Sequence, residues 1–260
     1  MNQTLVTFSK TEAIGTITLN RPPVNSYDIH FMQALNTAID EADSNPQVKA
    51  VIVNSASEKF FSAGADIKAF QANSVEANME MIRIAHRALE KMALSPKVFV
   101  AAINGHALGG GLEMALACDL RFAAEGNYRM GLPEVTLGLL PGNGGTQRLP
   151  RLIGANKALE MMLTGETVSP EEALQLGLVN KLFPAEKLLE ETEKYAQKIA
   201  VGASAAIANT KQALYRGIDL PLSEALALER DLLEPLFRTE DAQEGLTAFV
   251  EKRQPLFKGR

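Results

Sequence analysis

The run Asn104-Gly105-His106-Ala107-Leu108-Gly109-Gly110-Gly111-Leu112-Glu113 places three consecutive glycines just ahead of a carboxylate. It follows the apolar, strand-like segment Val98 to Ile103 and leads into the helix-compatible stretch Leu112 to Ala117. Glycines at a strand-to-helix turn let a ligand press against bare backbone. The first N–H groups of a helix have no intrahelical partner and can hold an anionic oxygen. Glu113 stands within one turn of those donors and of the positive end of the helix dipole. Donors and a carboxylate at one turn suit proton transfer on a polarised carbonyl. A phosphate cradle is disfavoured: no Gly-x-x-x-x-Gly-Lys-Ser/Thr occurs, and Gly142-Asn143-Gly144-Gly145-Thr146-Gln147 has Gln147 where a dinucleotide fingerprint needs its third glycine.

The elements that must position these residues are legible in outline. Leu5 to Phe8 and Ile14 to Leu19 read as an opening hairpin, ended by Arg21-Pro22-Pro23. From Asp28, a good N-cap, Ile29, Met32, Leu35, Ile39 and Ala42 recur at helical spacing, followed by the buried-strand run Val51-Ile52-Val53. This is a ββα-type unit. The grammar repeats with Ser74 capping a helix that carries Ile82, Leu89 and Met92, then Pro96 and the strand Val98 to Ile103. Asp119 to Ala124 reads as a further strand, and Ser169-Pro170-Glu171-Glu172 as a helix start with a capping box. Met79, Met81 and Met92 are expected to pack in the core rather than line an acyl pocket.

After about residue 200 strand patterns give way to helical stretches near Ala203 to Arg216, Leu222 to Phe237 and Asp241 to Lys252. Their apolar positions, including Leu226, Leu233, Leu236, Phe237, Leu246 and Phe249, are too many for a tail that packs only on itself, so a subunit interface is expected. The organisation predicted is an α/β core over residues 1–200 that carries the site and a helical region over 201–260 for oligomerisation.

Composition excludes several alternatives. At 260 residues and 46% hydrophobic content the chain supports one sizeable α/β domain with an appendage. A net charge of -5 provides no basic field for nucleic acid. No apolar run reaches the roughly 18 residues needed to span a bilayer, and no signal core opens the chain, so a cytoplasmic protein without membrane association is expected. Cys118 has no disulfide partner and reads as packing. His30, His86 and His106 are scattered and form no ligand pair, so no metal is expected.

Four segments together resemble the crotonase family, also called the enoyl-CoA hydratase/isomerase family. They are Phe60-Phe61-Ser62-Ala63-Gly64-Ala65-Asp66-Ile67-Lys68, the Asn104 to Glu113 run, Leu132-Pro133-Glu134 with Leu137-Gly138, and Pro141-Gly142-Asn143-Gly144-Gly145-Thr146-Gln147-Arg148. The similarity extends through the ending Ala248-Phe249-Val250-Glu251-Lys252-Arg253, and the order and spacing of the motifs make it specific. The resemblance implies an α/β spiral of repeated ββα units with a C-terminal helical trimerisation region, assembled as a trimer or a dimer of trimers. It implies that the backbone N–H groups of Ala65 and Gly110 form an oxyanion hole around the carbonyl of a coenzyme A thioester. Ala63, Gly64, Asp66, Ile67 and Lys68 would run along the coenzyme A moiety, with Pro133 and Gly142 as further substrate contacts. A side chain at position 110 is expected to block the carbonyl.

Glu113 and Glu134 match the two glutamates of the hydratase subgroup. The resemblance implies reversible syn addition of water to a trans-2-enoyl-CoA, with coenzyme A as part of the substrate and no separate cofactor. Glu113 would activate the water and Glu134 would supply a proton to C2. Were the carboxylates about 5 Å apart, their repulsion at an effective dielectric near 20 would be roughly 3 kcal/mol, so mutual repulsion is expected to keep one protonated. Pro23 stands where relatives often carry a longer or basic insertion, and the Asn127 to Met130 approach to Glu134 is one residue longer than in some hydratases, which leaves the acyl end open. Isomerisation, thioester hydrolysis and a catalytically silent assembly subunit are the alternatives.

Overall fold

The computed structural model describes residues 4–260. The chain opens with β1 (Val6–Thr11) and β2 (Ile14–Leu19), an antiparallel hairpin, and α1 (Ile29–Ser44). Asp28 caps α1 by accepting from the Phe31 N–H; Met32, Leu35, Ile39 and Ala42 of the expected stripe are buried together with Phe31 and Ala38, and Ile29 is half-buried. Next come β3 (Ala50–Ser55), β4 (Phe60–Ser62), α2 (Ile67–Ala72) and α3 (Val75–Leu94), the last capped by Ser74. The third turn is β5 (Val98–Ile103), β6 (His106–Leu108) and α4 (Gly110–Ala117). The fourth is β7 (Leu120–Ala124), β8 (Met130–Gly131), a 3-10 turn at Glu134–Leu137 and α5 (Gly145–Ile153). Then follow α6 (Ala155–Thr164), β9 (Thr167–Val168), α7 (Pro170–Gln175), β10 (Lys181–Phe183), α8 (Leu188–Ala200), α9 (Ser204–Gly217), α10 (Leu222–Leu233) and α11 (Glu240–Glu251).

After the opening hairpin, each of the next three turns gives one strand to each of two sheets. The first sheet runs β1-β2-β3-β5-β7-β10 and is parallel except for the opening hairpin; the second runs β4-β6-β8-β9, with β4, β6 and β8 parallel. Every residue of β5 is buried, as its unbroken apolar sequence requires of a central strand covered on both faces. In β2 only Gly15, Ile17 and Leu19 are buried, the alternation of a strand with one face toward the core. Met81, Met92 and Cys118 lie in the core, whereas Met79 is exposed.

The last sixty residues hold helices and no strand. Lys211 of α9 is buried and donates from Nζ to the carbonyls of Met92 (2.7 Å) and Lys97 (2.8 Å) and to Asp119 Oδ2 (3.0 Å). The C-terminal region is thereby pinned to the start of the third and fourth turns. Large apolar side chains of this region are exposed: Leu222 is 75% exposed, Phe237 64%, Phe249 85% and Val250 79%.

Candidate active site

The short parallel strands β4, β6 and β8 lie side by side, so the chain leaves all three in the same direction. Their exits deliver Ala63–Ala65, Gly109–Gly110 and Pro133–Glu134 to one cavity of about 360 Å³. Ile67, Phe70, Ile82, Leu137, Leu139 and Leu140 make much of its wall apolar, while Tyr27, Glu113, Glu134 and Asn143 supply the polar side chains. This is the character of a ligand site: an apolar cleft with a few convergent polar groups.

Two backbone N–H groups at these exits have no partner among the described residues. Tyr27 pairs with the Ala63–Asp66 loop in a single parallel bridge, donating its N–H to Gly64 O (2.9 Å) and accepting from the Asp66 N–H (2.8 Å). That bridge uses the peptide groups on either side of Ala65. The Ala65 N–H makes no hydrogen bond among the described residues, and neither does the N–H of Gly110, the first residue of α4. Gly64 adopts φ +85°, and a Cβ there would come within 2.7 Å of Leu108 O and 3.1 Å of Gly110 N, so the two donor loops are in direct backbone contact. Gly109, at φ +53°, makes room for the Glu134 carboxylate: a Cβ would lie 2.9 Å from Oε1.

One expectation about this turn is corrected. A side chain at Gly110 meets Tyr27, itself part of the cavity wall, where a Cβ would overlap the hydroxyl oxygen and lie 2.6 Å from ring carbons. Because Tyr27 is only 3% exposed and cannot swing away, substitution at 110 disturbs packing before it touches a carbonyl in the cavity.

The two glutamates meet different surroundings. Glu113, buried in the first turn of α4, accepts at Oε1 from the N–H groups of Asn143 and Gly145, both at 2.7 Å. Burial raises its pKa, opposed by these two hydrogen bonds and by the charges of Arg148 and His86. Glu134 is pushed up to about 7, foremost by burial, with the Glu113 charge a lesser contribution. Mutual repulsion is expected to keep one of the pair protonated; burial is instead the largest cause for both groups, because each carboxyl leaves water on entering the protein. Glu134 Oε2 is buried without a partner, as is Asn143 Oδ1. Among the described residues, two of the five buried side-chain oxygens without hydrogen bonds thus belong to residues lining this cavity, a concentration expected where a polar ligand completes the network.

Of the residues singled out by sequence, Ala63, Gly64, Ala65, Ile67, Gly110, Glu113, Pro133, Glu134 and Gly142 all line the cavity. Asp66 and Lys68 do not. The Asp66 carboxylate caps α2, accepting from Lys68 and Ala69, and pairs with Arg21 at 3.0 Å; that charge and those hydrogen bonds hold it below the usual carboxylate range. Lys68 is exposed in the first turn of α2. Sequence reasoning missed Tyr27, Asn143, Arg148 and His86. Tyr27 Oη accepts from Asn143 Nδ2 (2.6 Å), Arg148 Nη1 donates to Asn143 O (2.9 Å), and His86 Nε2 lies 2.6 Å from Gly142 O. Asn143 and Arg148 carried a signal, as members of the Pro141 to Arg148 motif; Tyr27 and His86 act through contacts distant in sequence. Among the described residues no group of three or more His, Cys, Asp or Glu side chains converges as a metal site would require.

A family model described as enoyl-CoA hydratase/isomerase matches residues 9–260. The chain belongs to the enoyl-CoA hydratase/isomerase family. It is 38% identical to a short-chain-enoyl-CoA hydratase of Clostridium acetobutylicum, covering 96% of this chain and 95% of that one. It is 36% identical to a crotonyl-CoA hydratase of Syntrophomonas wolfei, covering 97% of each. A crystal structure of an enoyl-CoA hydratase from Geobacillus kaustophilus superimposes with a TM-score of 0.97 at 47% identity, covering 100% of this chain and 98% of that one. The spiral of ββα turns is therefore the fold of this family, as the sequence motifs implied.

Proposed function

We propose that this family member is an enoyl-CoA hydratase that adds water reversibly and syn to a trans-2-enoyl-CoA, giving the 3-hydroxyacyl-CoA. The observation that carries this reading is the opposed setting of two glutamates on one cavity. Burial raises the pKa of both, but Glu113 receives two N–H hydrogen bonds that favour its carboxylate form, whereas Glu134 Oε2 receives none and its pKa is pushed up to about 7. One group is prepared to accept a proton and the other to keep one.

In the proposed reaction the thioester carbonyl accepts from the N–H groups of Ala65 and Gly110. Glu113 removes a proton from water as its oxygen bonds to C3, and the electrons of the C2–C3 double bond move toward the carbonyl to give an enolate. Glu134 then donates its proton to C2, and passage of a proton from Glu113 to Glu134 resets the pair. No electrons are exchanged with a third species, so the chemistry asks for no redox cofactor, and coenzyme A arrives with the substrate. Removing one donor from such an oxyanion site costs about 2.7–4 kcal/mol elsewhere. The apolar wall of Ile67, Phe70, Ile82 and the Leu137–Leu140 segment suits an acyl tail. The exposed apolar side chains of residues 201–260 support a homo-oligomer, a trimer or a dimer of trimers in the reading we favour. We place it in the cytoplasm, and no helix among the described residues is long and apolar enough to cross a membrane.

Crotonyl-CoA in water tests the proposal. Hydration removes the conjugated absorbance, thioester hydrolysis releases free thiol, and a silent subunit does neither. Glu113→Gln and Glu134→Gln should each slow hydration by at least about 100-fold, the scale of one acid–base contribution, while leaving thioester binding largely intact. Wild-type turnover in either variant would sink the two-glutamate mechanism.

A further inference from the structure

Tyr27 touches both donor loops of the cavity and Asn143. Its backbone brackets Ala65, donating to Gly64 O and accepting from the Asp66 N–H, and so fixes the plane from which the Ala65 N–H projects. Its ring packs against the backbone of Gly110, leaving no room for a side chain there. Its hydroxyl accepts from Asn143 Nδ2 at 2.6 Å. Asn143 in turn gives its backbone N–H to Glu113 Oε1, and Arg148 holds its carbonyl. A single buried residue therefore links the two donor loops to the segment that grips Glu113.

We propose that Tyr27 is a positioning residue for the hydration reaction, its hydroxyl holding Asn143 and through it the two N–H groups that orient Glu113. The argument rests on the hydratase reading for its rates, but the Tyr27–Asn143–Glu113 linkage is a property of the fold. Without Oη, the buried Asn143 amide loses its acceptor and the 143–145 segment is free to seek another, which loosens the donors on Glu113 Oε1. Those donors stabilise the carboxylate, so loosening them moves the protonation of Glu113 to higher pH. The other titratable groups acting on this site are Tyr27 itself, His86 of α3, Arg148 of α5 and Glu134 of the 3-10 turn.

The test uses the full-length protein with Tyr27→Phe, Asn143→Ala and the double variant. Tyr27→Phe keeps the ring and removes one oxygen. It should lower kcat on crotonyl-CoA by about tenfold, the cost of one unsatisfied buried donor, with KM changed by less than about twofold. The acid limb of kcat/KM should move to higher pH, and the double variant should be no slower than Asn143→Ala alone, because the two residues act in series. Carbon-13 carboxyl labelling of glutamate, with Glu113 assigned by its loss in Glu113→Gln, reads the same shift without turnover. Asn143→Ala reaches the link from its other side should Tyr27→Phe fold poorly. An unmoved Glu113 titration in the folded variants, or rate losses that multiply in the double variant, would overturn the proposal. An inert wild type would instead overturn the hydratase reading alone, and the Glu113 titration would still decide the role of Tyr27.

Discussion

Glu134→Gln should make the protein more stable at neutral and alkaline pH while removing turnover. In the folded chain this carboxyl is pushed from its ordinary 4.5 up to about 7 by burial. In that interval the native state holds a proton that the unfolded chain has released. Stability therefore falls as pH rises from 4.5 to about 7 and stays lost above it. A displacement of about 2.5 corresponds to at most roughly 3.4 kcal/mol at 1.36 kcal/mol per unit. Partial exposure of the side chain screens the ionised form, leaving about 1–2 kcal/mol. Glutamine cannot ionise and escapes this penalty, so at about pH 8 the variant should melt roughly 2–8 °C higher relative to wild type than it does at about pH 4.5. Comparing the two pH values cancels whatever the amide itself gains or loses in packing. Thermal melts by circular dichroism supply the first readout and crotonyl-CoA absorbance the second. The same Tm difference at both pH values would refute the claim that wild-type Glu134 is destabilised by its own ionisation, and with it the reason for casting it as the proton donor.

The same settings predict a bell-shaped kcat/KM, which reports the free enzyme: activity should fall about tenfold per pH unit above about 7 as Glu134 ionises, and on the acid side as Glu113 protonates; a rate flat across this range would contradict it. Lys211→Met should destabilise by about 3–5 kcal/mol in denaturant titration, because it strands Asp119 and two carbonyls in the interior; pairing it with Asp119→Leu should recover part of the loss. Phe249→Asp puts a charge on the outer face of α11, where the phenylalanine is 85% exposed, and should shift sedimentation toward smaller species without lowering the monomer's helix content. An unchanged sedimentation coefficient would remove that face from the interface.

What could be read from sequence followed from the length of the signal. The α1 stripe, the unbroken apolar run of β5 and the Ser169 capping box each span enough residues for a period or a cap to declare itself, and each stands in the structure within a residue or two of its expected place. The strands that assemble the site gave no such signal. β4 and β6 have three residues and β8 has two, less than is needed to show alternation, yet their parallel pairing sends the Ala63, Gly109 and Pro133 exits to one side. The motifs themselves were visible because glycine and small residues are required where backbone approaches backbone, as at Gly64 and Gly109. Tyr27 was invisible for the converse reason. A tyrosine between a proline-rich turn and a helix cap has an ordinary structural reading, and nothing local says that its hydroxyl reaches Asn143, 116 residues away. Motif spacing reports which groups meet the ligand, whereas the residues that aim those groups are fixed only by tertiary contacts. Side chains that govern proton affinity at this cavity are therefore to be sought among buried polar neighbours of the motif residues, and Tyr27 is the one that joins the Ala65 and Gly110 loops to the Asn143 segment.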